Sequence, residues 1–296
     1  MFIYGLEMKI QMADIQDIQW FPGHMTRTKR QIKESIKLID AVAEIVDARV
    51  PMSSRNPDLT EMVNNKPRLI LLNKCDAADP DATAKWMRRF ESDGVRAMAV
   101  DCRSGTGLKA FVPEVKKLLA DRITALKEKG MGGKSLRVMV VGIPNVGKSS
   151  FINKMIGGTK AKVEDRPGVT RGNQWFSVPG GIELLDTPGV LWPKFDDKIV
   201  GERLAFTGAI RDNILDTEAL AVRLIETLMP LYGDLIRSRY KLGDTDGLDA
   251  YGIMTEIGRR RGMLAGGGEI DTERAAIMLL DEFRAAKFGR ITLELP

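Results

Sequence analysis

Gly142, Gly147, Lys148 and Ser149 stand at the spacing G-x-x-x-x-G-K-[ST] within GIPNVGKSS, Gly142–Ser150, directly behind the apolar run Leu136–Val141. The chemistry open to such a stretch is the holding of a phosphate chain. Glycine clears the approach to successive backbone N–H groups, and the helix start read at Phe151–Ile156 adds the positive end of its dipole. Lys148 is placed for the β- and γ-phosphates and the Ser149 hydroxyl for Mg²⁺, with Asn145, Val146, Gly147 and Ser150 completing the nucleotide-contacting loop. A ligand-free glycine turn is the plainer alternative; the order strand, loop, helix favours the phosphate site.

Asn73-Lys74-Cys75-Asp76 says which base. In N-K-x-D the Asp76 carboxylate can accept from N1–H and the 2-amino group of guanine, a donor pair that adenine lacks, and a wrong base leaves it unpaired. Asn73 is expected to brace the loop and Lys74 to pack along the base. Asp186-Thr187-Pro188-Gly189 supplies the third element: Asp186 holds Mg²⁺ through water, and the Gly189 amide bonds the γ-phosphate. Thr170, in the polar loop Gly157–Asn173, is the candidate for the second hydroxyl on the Mg²⁺ side, although that loop holds other threonines. Cys102-Arg103-Ser104-Gly105 would bring amides near the guanine O6, with a plain turn as its alternative.

These loops need a sheet to carry them. Ala41–Val46, Arg68–Leu72, Val95–Val100 and Leu136–Val141 are continuous apolar runs, and helical stretches separate them: a short one after Asn56-Pro57-Asp58, then Asp81–Phe90 and Gly107–Glu128. That alternation predicts a mostly parallel sheet with helices on both faces, its ligand at the carboxyl ends of the strands. Pro113 is expected to bend the long helix or lie in its first turn. Pro179-Gly180-Gly181 joins Gln174–Val178 to Ile182–Asp186 as a hairpin. From about Ile199 the pattern turns helical, with helices near Thr217–Leu228, Tyr251–Arg261 and Thr272–Ala286. The expected organisation is an extension over 1–19, an α/β nucleotide domain over 20–200 and a small all-helical domain over 201–296.

The motif order is displaced. Asn73–Asp76 and Cys102–Gly105 precede the P-loop, whereas an ordinary GTPase begins with the P-loop. One fold with its termini moved accounts for this, since the ends of compact domains often lie close together.

Composition bounds the rest. With 45 basic against 40 acidic residues the net charge is +5, permissive of nucleic acid without demanding it. Cys75 and Cys102 are too few for a disulfide scaffold or a cysteine-based zinc site, which suits a reducing compartment. No apolar run is long enough to span a bilayer, so the expectation is a cytoplasmic protein with no membrane partner; a monomer is expected. Arg27, Lys29, Arg30, Lys33 and Lys37 make a basic stripe on the helix expected over Thr26–Ile39, readable equally as a solvated face. Arg237, Arg239 and Lys241, with Arg259, Arg260 and Arg261, form basic clusters suited to RNA phosphates.

Taken with Trp20–Met25 (WFPGHM), Asp47–Pro51 (DARVP), Arg55-Asn56-Pro57, PGVTR, DTPGVLWP, Glu256–Gly262 (EIGRRRG) and Phe288–Leu293 (FGRITL), the chain from about residue 20 onward resembles the circularly permuted GTPases of the YlqF/YawG type. The resemblance implies a GTPase acting late in assembly of the large ribosomal subunit, with a C-terminal helical domain that contacts ribosomal RNA. Val190 follows Gly189 where many GTPases carry a water-orienting Gln, so slow intrinsic turnover is expected. The resemblance offers His24, the single histidine, for the missing role, with a turn-fixing histidine as the alternative. It also matches Asn145 to the asparagine of potassium-activated GTPases, where K⁺ would sit beside the phosphates; bracing of the loop by Asn145 is the alternative. Metabolic P-loop kinases and membrane-associated switches are the rival classes, and neither an acceptor-substrate motif nor a lipidation signal is evident.

Overall fold

The computed structural model describes residues 30–63, 65–158, 174–192, 197–210, 212 and 215–296. Helix α1 covers residues 30–36 and leads into β1 (Ala41–Asp47); α2 (Pro57–Met62), β2 (Arg68–Asn73), α3 (Pro80–Ser92) and β3 (Arg96–Ala99) follow. A short 3₁₀ turn, Leu108–Ala110, opens onto α4 (Phe111–Leu118) and α5 (Ala120–Glu128). The P-loop strand β4 (Leu136–Val141) feeds α6 (Lys148–Ile156), and β5 (Gln174–Val178) turns back into β6 (Ile182–Asp186). Four helices complete the chain: α7 (Lys198–Phe206), α8 (Thr217–Tyr240), α9 (Ala250–Arg260) and α10 (Thr272–Arg284).

The strands form one sheet in the order β3-β2-β1-β4-β6-β5, parallel except where β5 pairs with β6. The chain leaves β1 toward β2 and leaves β4 toward β6, so the order reverses between β1 and β4. Ligands of open α/β sheets bind at such a point. Side chains alternate in period across the sheet. Ala41, Ala43 and Ile45 of β1, with Val138 and Val140 of β4, face Phe111 of α4 and Phe151 of α6, whose rings meet edge to face at 4.9 Å. Val42, Met139 and Val141 face Ile32 of α1 and Leu59 of α2, while Val46 and Ile70 face Trp86 and Phe90 of α3.

The long helix expected over Gly107–Glu128 is two helices. Pro113 lies in the first turn of α4, where its missing N–H costs nothing, and the break falls at Leu119 (φ −107°, ψ 24°). α8 runs well past the expected Leu228. It absorbs Pro230 with a kink at Tyr232 (φ −134°), as a proline that removes an internal hydrogen bond requires. Beyond the kink, Ile236 and Tyr240 are buried, and their packing outweighs the helix-breaking residue.

The helical part is welded to the sheet domain by one continuous apolar core that includes Leu204, Leu224, Ile257, Leu279 and Phe283. After α10 the chain returns as an extended strap. Ile291 N–H donates to the Ala77 carbonyl at 2.9 Å and Leu293 N–H to the Arg49 carbonyl at 2.8 Å. The Trp86 indole donates to the Glu294 carbonyl at 2.8 Å, and the Glu294 carboxylate accepts from the Met52 and Ser53 amides and the Ser53 hydroxyl. Tyr232, at the kink of α8, exchanges hydrogen bonds with Thr292 through its hydroxyl.

Candidate nucleotide site

Gly142 turns the chain off the end of β4 with φ +152°, and a Cβ there would lie 2.5 Å from the Ile45 carbonyl oxygen. Gly147 closes the loop at φ +100°, where a Cβ would lie 2.3 Å from Asn73 Nδ2. Both glycines are thus required twice, by backbone conformation and by close approach. Lys148 opens α6 buried at 7% exposure, and its ammonium donates to the Ile143 carbonyl at 2.6 Å, curled into its own loop. Burial lowers its pKa from the ordinary 10.5 to about 8, with the Asp186 charge opposing the shift.

Asn73 joins three loops. Its Nδ2 donates to the Val146 carbonyl of the P-loop at 2.7 Å, and its Oδ1 accepts from the Cys102 amide at 2.9 Å. Lys74 takes the left-handed conformation (φ +61°), half-buried, with Asp76 exposed beyond it. The loop 102–104 is shaped by Asp101, whose carboxylate accepts from the Arg103 amide at 2.8 Å and the Ser104 amide at 3.0 Å. Those backbone bonds, together with the Ser104 side chain, hold the Asp101 carboxyl below its usual pKa against the opposing effect of burial. Arg103 and Ser104 side chains are exposed, and burial pushes the Cys102 thiol well above the usual range.

Asp186 ends β6 at 3% exposure, and Thr187 next to it donates its hydroxyl to the Val140 carbonyl of β4 at 2.7 Å. Gly189 packs on the P-loop so closely that a Cβ would lie 2.8 Å from Lys148 Nζ and 2.9 Å from the Pro144 nitrogen. The following residue is held too: Asn56 Nδ2 donates to the Val190 carbonyl at 2.8 Å while its Oδ1 caps α2. Asn56, like Asp47 and Arg49 below, has partners too far away in the chain for spacing to reveal. Asn145 (φ +61°) donates from Nδ2 to the Gly208 carbonyl just after α7 at 2.7 Å, tying the P-loop to the helical part. His24 and Thr170 lie outside the described residues, as do Trp20–Met25 and PGVTR.

These loops surround one cradle at the carboxyl ends of β1, β2, β4 and β6. A family model described as "50S ribosome-binding GTPase" matches residues 137–220. The chain is 46% identical over 280 residues to ribosome biogenesis GTPase A of Priestia megaterium, covering 94% of this chain and 97% of that protein. The chain belongs to the ribosome biogenesis GTPase A family. The family relative from Thermotoga maritima is 32% identical, covering 94% of this chain and 95% of its own. A solved structure titled as GDP-bound YlqF superposes with a TM-score of 0.67 at 28% identity, over 90% of this chain and 99% of that one. The GNP-bound YlqF from T. maritima gives 0.62, over 91% and 98%. As a member of the ribosome biogenesis GTPase A family the protein is a GTP hydrolase with a circularly permuted GTPase fold and a helical C-terminal part.

Mg²⁺ fits the donor set: one hydroxyl, Ser149, follows the P-loop lysine, and one buried carboxylate, Asp186, ends the neighbouring strand, leaving room for phosphate and water oxygens. When bound, the ion neutralises charge on the β- and γ-phosphates. Among the described residues no cluster of three or more His, Cys, Asp or Glu could hold a metal by itself, and no helix is long and apolar enough to cross a membrane.

The basic residues of the helical part divide into two groups. Arg239 forms a fork with Glu282 at 2.9 and 2.7 Å, and Arg261 contacts the same carboxylate at 3.5 Å while its guanidinium lies 5.1 Å from the centre of the Tyr240 ring. Glu282 also accepts from the Tyr240 hydroxyl at 2.9 Å, and these bonds, Arg239's foremost, hold its pKa below the usual value. The exposed Arg259 and Arg260 pair with half-buried Glu256 one turn earlier, and half-buried Arg237 with exposed Asp234, at a solvent boundary where such pairs are weak. Lys241 caps α8 with φ +53° and is exposed.

Proposed function

We propose that the protein binds an assembly intermediate of the large ribosomal subunit in its GTP form, that the particle completes the catalytic site, and that hydrolysis releases it. The observation that carries this reading is the bond from P-loop Asn145 to Gly208: a change at the phosphates acts directly on the end of α7 and so on the helical part. A second path leads the same way, because Gly189 is packed on the P-loop and α7 is the next helix in the chain. The reading assigns the nucleotide domain to 20–200 and the ribosome-facing domain to 201–296, and treats the protein as a cytoplasmic monomer.

Within it, Asn73, Lys74 and Asp76 with Cys102–Ser104 receive the guanine, and Asn145–Ser150 with Gly189 receive the phosphates. Ser149, Thr170 and Asp186 serve Mg²⁺. Val190 has no group to orient water, so His24 takes that part once the particle is engaged. Asn145 would turn its side-chain oxygen to K⁺ while Nδ2 keeps its bond to the Gly208 carbonyl. Ribosomal RNA meets Arg237, Lys241, Arg259 and Arg260 through phosphate contacts; Arg239 of α8 and Arg261 just after α9, sharing Glu282 of α10, tie the three helices together.

The test is GTP turnover with and without purified large subunits or their precursors, in potassium and in sodium buffer. Strong stimulation by the particle is expected, lost in His24→Ala without loss of nucleotide binding. Absence of stimulation by both mature and precursor subunits refutes the particle as activator. Equal rates in the two buffers refute the K⁺ role alone. Salt-sensitive RNA binding separates this reading from a metabolic kinase or a membrane-associated switch.

A further inference from the structure

Behind the base-reading loop stands a buried charge relay that the nucleotide chemistry so far leaves unused. Asp47 ends β1 directly beside Asn73, its register partner in β2. Its carboxylate is 2.9 Å from the Lys74 ammonium and receives the Arg49 guanidinium in a fork, Nε to Oδ1 at 2.9 Å and Nη2 to Oδ2 at 2.8 Å. The Arg49 backbone amide adds a third bond to Oδ1 at 3.0 Å. Arg49 is 1% exposed, an unusual place for a guanidinium. Its remaining nitrogen, Nη1, reaches the Phe283 and Arg284 carbonyls at the end of α10, both at 3.4 Å, and the Phe283 ring lies 5.3 Å from the guanidinium carbon. Asp76, the base-reading carboxylate, also lies within the field of Arg49.

We propose that Asp47 is the positioning residue of the guanine-reading loop: fixed by Arg49, it anchors the Lys74 ammonium so that the lysine stem forms a flat wall for the base. The proposal rests on the guanine reading of Asn73–Asp76. A left-handed backbone at a non-glycine residue costs energy and persists only when its surroundings fix it. Here the fixing agent is a carboxylate that cannot move, because burial and the Arg49 fork leave it one position. A lysine with a free ammonium would sweep many rotamers and lose that entropy on binding; an anchored one has lost it already. The contact is to the base side of the nucleotide and not to the phosphates, so it acts on GDP and GTP alike.

The test compares GDP and GTP affinity, and kcat against KM for GTP, in the full-length protein carrying Asp47→Asn, Lys74→Met or both. Asp47→Asn is expected to weaken both nucleotides equally, by roughly ten-fold, the scale of one charge-assisted hydrogen bond, with kcat at saturation unchanged. In the Lys74→Met background the same substitution should add nothing. Affinities within about two-fold of the parent, or an Asp47→Asn effect undiminished when Lys74 is already methionine, overturn the proposal. Should Asp47→Asn fail to fold because it strands Arg49, Lys74→Met and Lys74→Arg decide: loss with Met and recovery with Arg support the anchor, and equal affinities for all three proteins overturn it. Asp76→Asn, titrated with xanthosine and guanosine diphosphates, reports separately on the guanine reading. Its preference should move toward xanthine, and no movement overturns that reading and the proposal with it.

Discussion

Replacing Asn73 with Ala removes one side chain and strands two partners. The Val146 carbonyl and the Cys102 amide, both served by Asn73 in a position only 3% exposed, lose the bonds at 2.7 and 2.9 Å. A buried polar group left unsatisfied costs about 1–3 kcal/mol, so the pair costs about 2–6 kcal/mol. In a chain of this size each kcal/mol lowers Tm by about 2–4 °C, which predicts a fall of about 4–24 °C. Asn73→Asp keeps an acceptor for Cys102 but turns a carboxylate oxygen toward the Val146 carbonyl, so it too should be destabilised. Differential scanning calorimetry measures the fall, and GDP titration well below the transition measures what remains of the site, where a loss of affinity is expected as the three loops part. Two variants that melt within about 1 °C of the parent and bind GDP as tightly would show that Asn73 braces nothing, and that the loops are aligned by the strands alone.

Two further outcomes follow from the electrostatics. Burial pushes the Lys148 ammonium down to about 8, and phosphates should restore its charge. GDP binding near pH 8 is therefore expected to take up about half a proton, read from calorimetry in buffers of different ionisation enthalpy and absent in Lys148→Met. For the free protein the sign is that of a base whose folded pKa is depressed: between about 8 and 10.5 the unfolded chain holds the extra proton, so this residue makes stability rise with pH across that window. The basic residues of the helical part should separate by readout. Arg239→Ala leaves Glu282 without its main partner and should lower Tm with little change in RNA affinity. Arg259→Glu with Arg260→Glu should leave Tm within a degree or two and weaken ribosomal RNA binding in filter assays, with a shallower salt dependence. RNA binding that falls equally in both variants would refute the division.

Much of this site was legible because its chemistry is local. The hairpin falls at Gln174–Val178 and Ile182–Asp186, as expected, since Gly180 and Gly181 both take positive φ between the two runs. The P-loop declares itself through glycines whose backbones no other residue tolerates. The remainder depends on partners that no spacing links. Arg239 and Arg261 stand in the sequence as basic residues alone, and that they share the Glu282 carboxylate, 43 and 21 residues away, is visible only in the fold. Asp47, Arg49 and Asn56 stood in the sequence as family motifs without a task, because Lys74, Phe283 and Val190 become their neighbours only in the fold. The break at Leu119 and the persistence of α8 beyond Pro230 were likewise decided by packing rather than by propensity.

The strap over 291–294 sets a timetable for the molecule. Its Thr292 hydroxyl reaches the Ala48 carbonyl across 244 positions of sequence, on the same loop that carries Arg49. Chains emerge from the ribosome at about 5–20 residues per second, so the β1 loop waits for tens of seconds before the segment that covers it has been made. Contacts of such long range are also slow to close once available. Throughout synthesis the sheet can form, yet the floor beneath the base-reading loop stays open to water, with Trp86 and Arg49 uncovered. A nascent chain is thus expected to acquire its phosphate loop well before it acquires a finished guanine pocket.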